Sequence, residues 1–93
     1  MTAVRLKFTG DVRTRMGADR MDFDFQGATL GELLEAFFLS HDLRDLILDQ
    51  AGNVKPYSRV VVNGRFSYLI GDMAAPITDG DMITLIHPYI LAI

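Results

Sequence analysis

Apolar and polar side chains alternate at the start of the chain. Val4, Leu6 and Phe8 are separated by Arg5 and Lys7, a period of two that predicts a half-buried strand. Met21, Phe23 and Phe25 alternate with Asp22 and Asp24 in the same way. They predict a second strand with one wet face, paired with the first as a hairpin. Residues 9–20 are polar and contain Gly10 and Gly17, so they read as a connection with room for one helical turn.

The period then changes. Leu30, Leu33, Leu34, Phe37 and Phe38 recur at spacings of three and four, which is one apolar face of a helix. Thr29 stands at its start as an N-cap, and Glu32 three residues on completes a capping box. Gly31 inside this helix costs roughly 1 kcal/mol against Ala. Asp42 with Asp45 is a weaker start signal for a short helix or turn carrying Leu43, Leu46 and Ile47, ended by Ala51-Gly52-Asn53. Val60, Val61 and Val62 form a β-branched run, expected of a strand buried on both faces. Asn63-Gly64 is a strong two-residue hairpin signal, because both positions tolerate positive φ. Phe66, Tyr68 and Ile70 then alternate as a short partner strand. A loop turning at Asp79-Gly80-Asp81 leads into a last strand at residues 82–86, stopped by Pro88.

The predicted order is strand, strand, helix, then strands. A helix after a hairpin crosses the sheet and covers one face. The expected fold class is α+β: a β-grasp, ubiquitin-like roll with a mixed sheet of four to five strands, one main helix, and the last strand central beside the first. Ninety-three residues are expected to form a single domain over 1–93, with residues 88–93 as a C-terminal tail.

Composition narrows the function classes. The chain is 49% hydrophobic, enough for a folded core, and its net charge of −3 comes without a dense basic run. Nucleic acid is therefore not an expected partner. There is no cysteine, which removes disulfides, thiolate metal sites, cysteine-ligated iron–sulfur clusters and a cysteine nucleophile. No apolar run is long enough to span a membrane and the N-terminus lacks a signal-peptide core, so a cytoplasmic location without membrane contact is expected. No phosphate loop, Ser/His/Asp set or paired catalytic carboxylates stand out, and neither an enzyme activity nor a cofactor is expected.

Four stretches in order carry a resemblance: residues 8–17; Gly27-Ala28-Thr29-Leu30 with Leu33-Leu34; Val60-Val61-Val62-Asn63-Gly64; and Ile77-Thr78-Asp79-Gly80-Asp81 followed by Leu85-Ile86-His87-Pro88. They are similar to the first strand and helical loop, the "GAT-x-x-x-L" helix start, the "VAVNG" hairpin, and the "L-x-DGD" turn and "PP" strand end of the MoaD/ThiS family of ubiquitin-like sulfur carriers. The likeness spans nearly the whole chain. It implies a carrier whose C-terminal glycine is adenylated by an ATP-dependent activating enzyme, converted to a thiocarboxylate, and used to donate sulfur. The acceptor is a pterin precursor of the molybdenum or tungsten cofactor in one branch and a thiazole precursor in the other. The implied partner is a larger protein: the activating enzyme, a pterin-synthase-type subunit or another enzyme subunit.

The end of the chain departs from that pattern. A tail that threads a narrow channel needs glycines, which have no Cβ to obstruct passage. Leu91 and Ala92 stand where the glycine pair would fall, and Ile93 follows. A β-branched terminal residue crowds the carboxylate to be attacked, so the expectation is against standard carrier chemistry there. The candidate partner-binding residues are Pro88, Tyr89, Ile90, Leu91, Ala92 and Ile93, read as an apolar anchor for a partner. Extension of the last strand, packing on the sheet, and a tail that still accepts sulfur are the other readings. A non-conjugating adaptor or small subunit of an enzyme complex is the alternative function. Elsewhere, His87 reads as a strand-end structural residue, and His41 as one that favours a helix dipole. Asp79 and Asp81 read as turn chemistry, and Arg13, Arg15 and Arg20 as a loose basic cluster.

Overall fold

In the computed structural model, which describes residues 1–88, a five-stranded mixed sheet carries its helices on one face. Strands β1 (Thr2–Thr9), β2 (Arg20–Phe25), β3 (Arg59–Val62), β4 (Arg65–Phe66) and β5 (Met82–His87) lie in the order β2-β1-β5-β3-β4. The expected β-grasp topology is present: β5 is central and parallel to β1, and the other pairs are antiparallel. Helices α1 (Gly10–Met16), α2 (Leu30–Ser40) and α3 (Arg44–Ile47) complete the regular structure, with 3₁₀ turns at Ser67–Leu69 and Asp72–Ala74.

The alternation in β1 does what its period dictates. Val4, Leu6 and Phe8 are buried, while Ala3, Arg5 and Lys7 are exposed. The same division in β5 buries Ile83 and Leu85. Across this inner face lies α2, with Leu30, Leu33, Leu34 and Phe37 buried and Phe38 half-buried. Phe37 is the hub: its ring stacks on Phe8 at 5.9 Å and on His41 at 4.5 Å, and meets Phe23 edge-on at 5.4 Å. Aromatic pairs in these geometries add to plain burial. The capping box forms: Thr29 Oγ1 accepts from the Glu32 N–H, and the Glu32 carboxylate reaches back to the Ala28 N–H and the Thr29 hydroxyl. Those contacts, the Ala28 N–H first, hold Glu32 below its ordinary value. Gly31 has a packing reason, since a Cβ there would lie 3.1 Å from the Met73 carbonyl oxygen.

Four expectations need correction. The connection at residues 9–20 holds a seven-residue helix, α1, closed by Gly17 in the left-handed region. Its one buried side chain is Val12, too sparse an apolar signal to mark a helix in sequence. Val60 and Val62 are buried but Val61 is only half-buried, because the outer face of the sheet carries no helix. The partner strand ends at Phe66, and Tyr68 lies in a 3₁₀ turn, so the alternation through Ile70 was not a strand. The short helix α3 begins after Leu43 with no side-chain cap and is over by Ile47. The turn beyond it is closed by the Asp49 carboxylate, which accepts from the N–H groups of Ala51 and Asn53.

The Asn63-Gly64 hairpin is as read, with φ of 50° and 84°. The Asp79-Gly80-Asp81 turn is likewise structural. Asp79 accepts from the Ala3 N–H, and Asp81 from the Thr78 N–H and the Asn63 amide. Burial pushes Asp81 upward, but hydrogen bonds from the Thr78 N–H, Asn63 and the Thr78 hydroxyl outweigh it and hold the group below its ordinary value. Among the described residues no helix is long and apolar enough to cross a membrane.

Candidate functional site: the outer sheet face and the root of the tail

Pairing register assigns the residues that share the uncovered face. Lys7, Thr84, Val61 and Phe66 form one row across β1, β5, β3 and β4, with Arg20 opposite Lys7 on β2. Arg5 and Met82 form a second row, with Asp22 opposite Arg5. Thr9, Ile86 and Arg59 form a third. Met82, Thr84, Ile86, Val61 and Phe66 are half-buried, although no helix covers them. The Tyr68 ring extends this apolar centre by stacking on Phe66 at 5.4 Å with the planes 9° apart. Tyr68 is 57% exposed.

Cations surround that centre. Arg5, Lys7, Arg20 and Arg59 belong to these rows against Asp22 and, opposite Ala3, Asp24, in a chain whose net charge is −3. The Arg5–Asp22 pair is long, 3.9 Å, and open to solvent, so it adds little stability. The Arg59 guanidinium donates to the carbonyls of Pro56 and Ser58, which holds it at the Ile86 end of the sheet. An apolar centre with a basic margin is suited to a protein surface with apolar anchors and acidic neighbours. Arg13, Arg15 and Arg20, read as a loose basic cluster, are divided between α1 and the sheet. Arg15 reaches the Asp45 carboxylate and the Asp42 carbonyl, while Arg20 lies on the sheet.

At one end this face runs straight into the root of the tail. His87 is the last residue of β5, and Pro88 after it is exposed. Of the predicted partner-binding residues only Pro88 is placed; Tyr89, Ile90, Leu91, Ala92 and Ile93 lie outside the described residues. Gly10 bridges His87 in the backbone ladder, and a Cβ on Gly10 would collide with the His87 carbonyl. The N-terminus of α1 is therefore packed directly against the tail's origin.

His87 has company that the sequence did not show. Its Nδ1 is 2.8 Å from the Ser58 hydroxyl, and its Nε2 is 3.5 Å from the Asp11 carboxylate. The three residues are 29 to 76 positions apart in the chain, so no spacing rule could have joined them. They have the composition of a nucleophilic triad but not its chemistry. Ser58 is fully buried, and its hydroxyl donates to the Leu46 carbonyl at 2.5 Å. A nucleophile must reach a substrate and pass its proton to the histidine. His41, the other histidine, caps α2: its Nδ1 lies 3.3 Å from the Phe37 carbonyl oxygen.

No protein-family model and no curated protein matches the chain significantly. Solved structures do match it, over nearly its whole length. It superposes on SAMP1 from Haloferax volcanii with a TM-score of 0.78 at 22% identity, covering 97% of this chain and 98% of that one. The structure of the Amycolatopsis orientalis BexX/CysO complex matches with a TM-score of 0.77 at 21% identity, covering 96% and 98%. A protein assigned as molybdopterin converting factor, subunit 1, from Pyrococcus furiosus matches at 0.69 and 20%, covering 91% and 95%. In fold, this chain is a ubiquitin-like β-grasp.

Proposed function

We propose that this protein is a ubiquitin-like carrier-type protein of sulfur metabolism. It docks to a larger protein through the outer face of its sheet and presents residues 89–93 to that partner. The observation that carries this reading is the continuity of the two parts. The uncovered centre joins Val61 of β3 and Phe66 of β4 to Met82 and Ile86 of β5, the strand that ends at His87, so a partner seated there sits beside the root of the tail. The structural matches support it, since they include SAMP1, a chain solved in a complex with BexX, and a molybdopterin converting factor subunit. The last of these favours pterin cofactor synthesis as the branch. The protein contributes recognition and a C-terminal carboxylate, and the partner contributes the catalytic groups.

A second reading rests on Leu91, Ala92 and Ile93. In this reading the partner is an enzyme subunit, the apolar tail is a fixed contact, and no sulfur is carried. Intact mass with C-terminal peptide mapping, on protein purified from its native cells, separates the two. The carrier reading expects sulfur in place of a terminal oxygen, an adenylate, or a conjugate through the terminal carboxyl. An unmodified chain ending at Ile93 and held in a stable complex would replace the carrier with the adaptor.

A further inference from the structure

A groove lies on the helical side of the molecule. One wall is α2, and the other is built from α3, the turn after it and the 3₁₀ turn at Asp72–Ala74. Buried Leu34 and Leu48 form its floor, and half-buried Phe38 and Met73 line its sides. It holds about 580 Å³. Along α2 it runs from Thr29 to Leu39, roughly 15 Å at the rise of a helix. That length suits a few residues of an extended or helical chain better than a compact small molecule. Leu39 stands at its end and is 86% exposed. A lone exposed Leu is ordinary on a protein surface. One that shares a groove with Phe38 and Met73, above a buried floor, belongs to an apolar strip.

The rim of the groove is acidic. Glu32 and Glu35 are both exposed on α2. The chain from Met21 to Leu43 contains Asp22, Asp24, Glu32, Glu35 and Asp42 and no Lys or Arg. Glu32 is held in place by the Ala28 N–H and the Thr29 hydroxyl. Glu35 makes no ion pair among the described residues. The cation on the facing wall, Arg44, donates to the Asp49 carbonyl at 3.3 Å. The outer sheet face has the opposite character, an apolar centre with Arg5, Lys7, Arg20 and Arg59 around it. A partner surface whose charge complements one of these two regions is repelled by the other.

We propose that this groove is a second docking site, which takes a short segment of another protein with a bulky apolar side chain flanked by lysine or arginine. The apolar side chain enters over Leu34, between Phe38 and Met73, and its basic neighbours meet Glu35 and Glu32 at the rim. The helices lie on one face of the sheet and the basic patch on the other, so the two sites are on opposite sides of the molecule. A protein held in the groove leaves the outer sheet face open. The chain can then be gripped by one protein while it is presented to another.

The test selects a displayed random-peptide library on the immobilised full chain and maps the selected peptides on the labelled chain by NMR. The peptides are expected to place Lys or Arg beside a bulky apolar residue and to shift the amides of Glu35, Leu39, Gly52 and Met73. Added salt should weaken their binding. The double variant Glu35→Lys with Leu39→Ser should lower affinity by about tenfold or more. Both side chains are exposed, so that variant is expected to fold, and its urea midpoint verifies this. Lys7→Glu, on the outer sheet face, should bind the peptides as the parent does. A selection without binders, peptides with acidic flanks, shifts confined to the outer face, or undiminished affinity in the double variant would each overturn the proposal. Two other occupants would overturn it as well. Groove amides that shift when the chain alone is diluted identify a second copy, and groove amides that shift on truncation after Pro88 identify the chain's own end. Sulfur transfer plays no part in the measurement, so the groove and the carrier reading stand or fall separately.

Discussion

The two faces of one sheet have different duties. On the inner face Leu6, Phe8, Ile83, Leu85, Val60 and Val62 are each no more than 5% exposed, closed by α2 and its Phe37 hub. On the outer face, one residue along the same strands, Lys7, Met82, Thr84, Val61 and Ile86 meet solvent. A strand sends successive side chains to opposite sides, so the same backbone register serves both faces. Burial fixes the inner set. Nothing in the packing demands that the outer set be apolar at its centre and basic at its margin, which is why that set points to a partner.

Substitutions sharpen the contrast in order of their cost. Phe37→Ala removes the hub of the inner face and is expected to destabilise by about 3–5 kcal/mol, read as a fall in the urea midpoint. Gly10→Ala places a Cβ against the His87 carbonyl at φ +61°, and should cost more than about 1 kcal/mol by urea unfolding. Thr29→Ala deletes the cap of α2 and should cost about 1 kcal/mol by thermal unfolding. Asp81 and Glu32 are both held below their ordinary values, so the unfolded chain binds protons more readily than the folded one. Their stabilising effect is present at neutral pH and is lost as pH falls through the folded values, beneath the usual carboxylate range. Asp81→Asn should flatten that acid limb in unfolding curves taken at successive pH values. Lys7→Glu, on the outer face, should change stability by less than about 0.5 kcal/mol while weakening the partner complex.

Much of the inner face was legible in sequence because its signals are local. Period two in β1, the Thr29–Glu32 box and the Asn63-Gly64 turn each lie within a few residues. The outer face was not legible. Val60, Val61 and Val62 are chemically uniform, and only pairing with β5 shows that Val61 alone of the three faces outward. Tyr68 follows the alternation of a strand but sits in a 3₁₀ turn, where its ring still covers Phe66. His87 gave no sign of Asp11 or Ser58, because the fold brings those residues to it from distant segments. The carrier-type resemblance rested on turns and caps, features that describe a fold more firmly than an activity.

The central claim is that the outer face and the tail form one working surface. It is tested most directly by purifying three tagged forms from native cells in parallel: the unaltered chain, Met82→Glu, and a truncation after Pro88. Partner retained and urea stability are measured for each. The account predicts that both variants keep stability within about 1 kcal/mol of the parent and that both lose the partner. Full retention by Met82→Glu, or loss only in step with a collapse in stability, would contradict it.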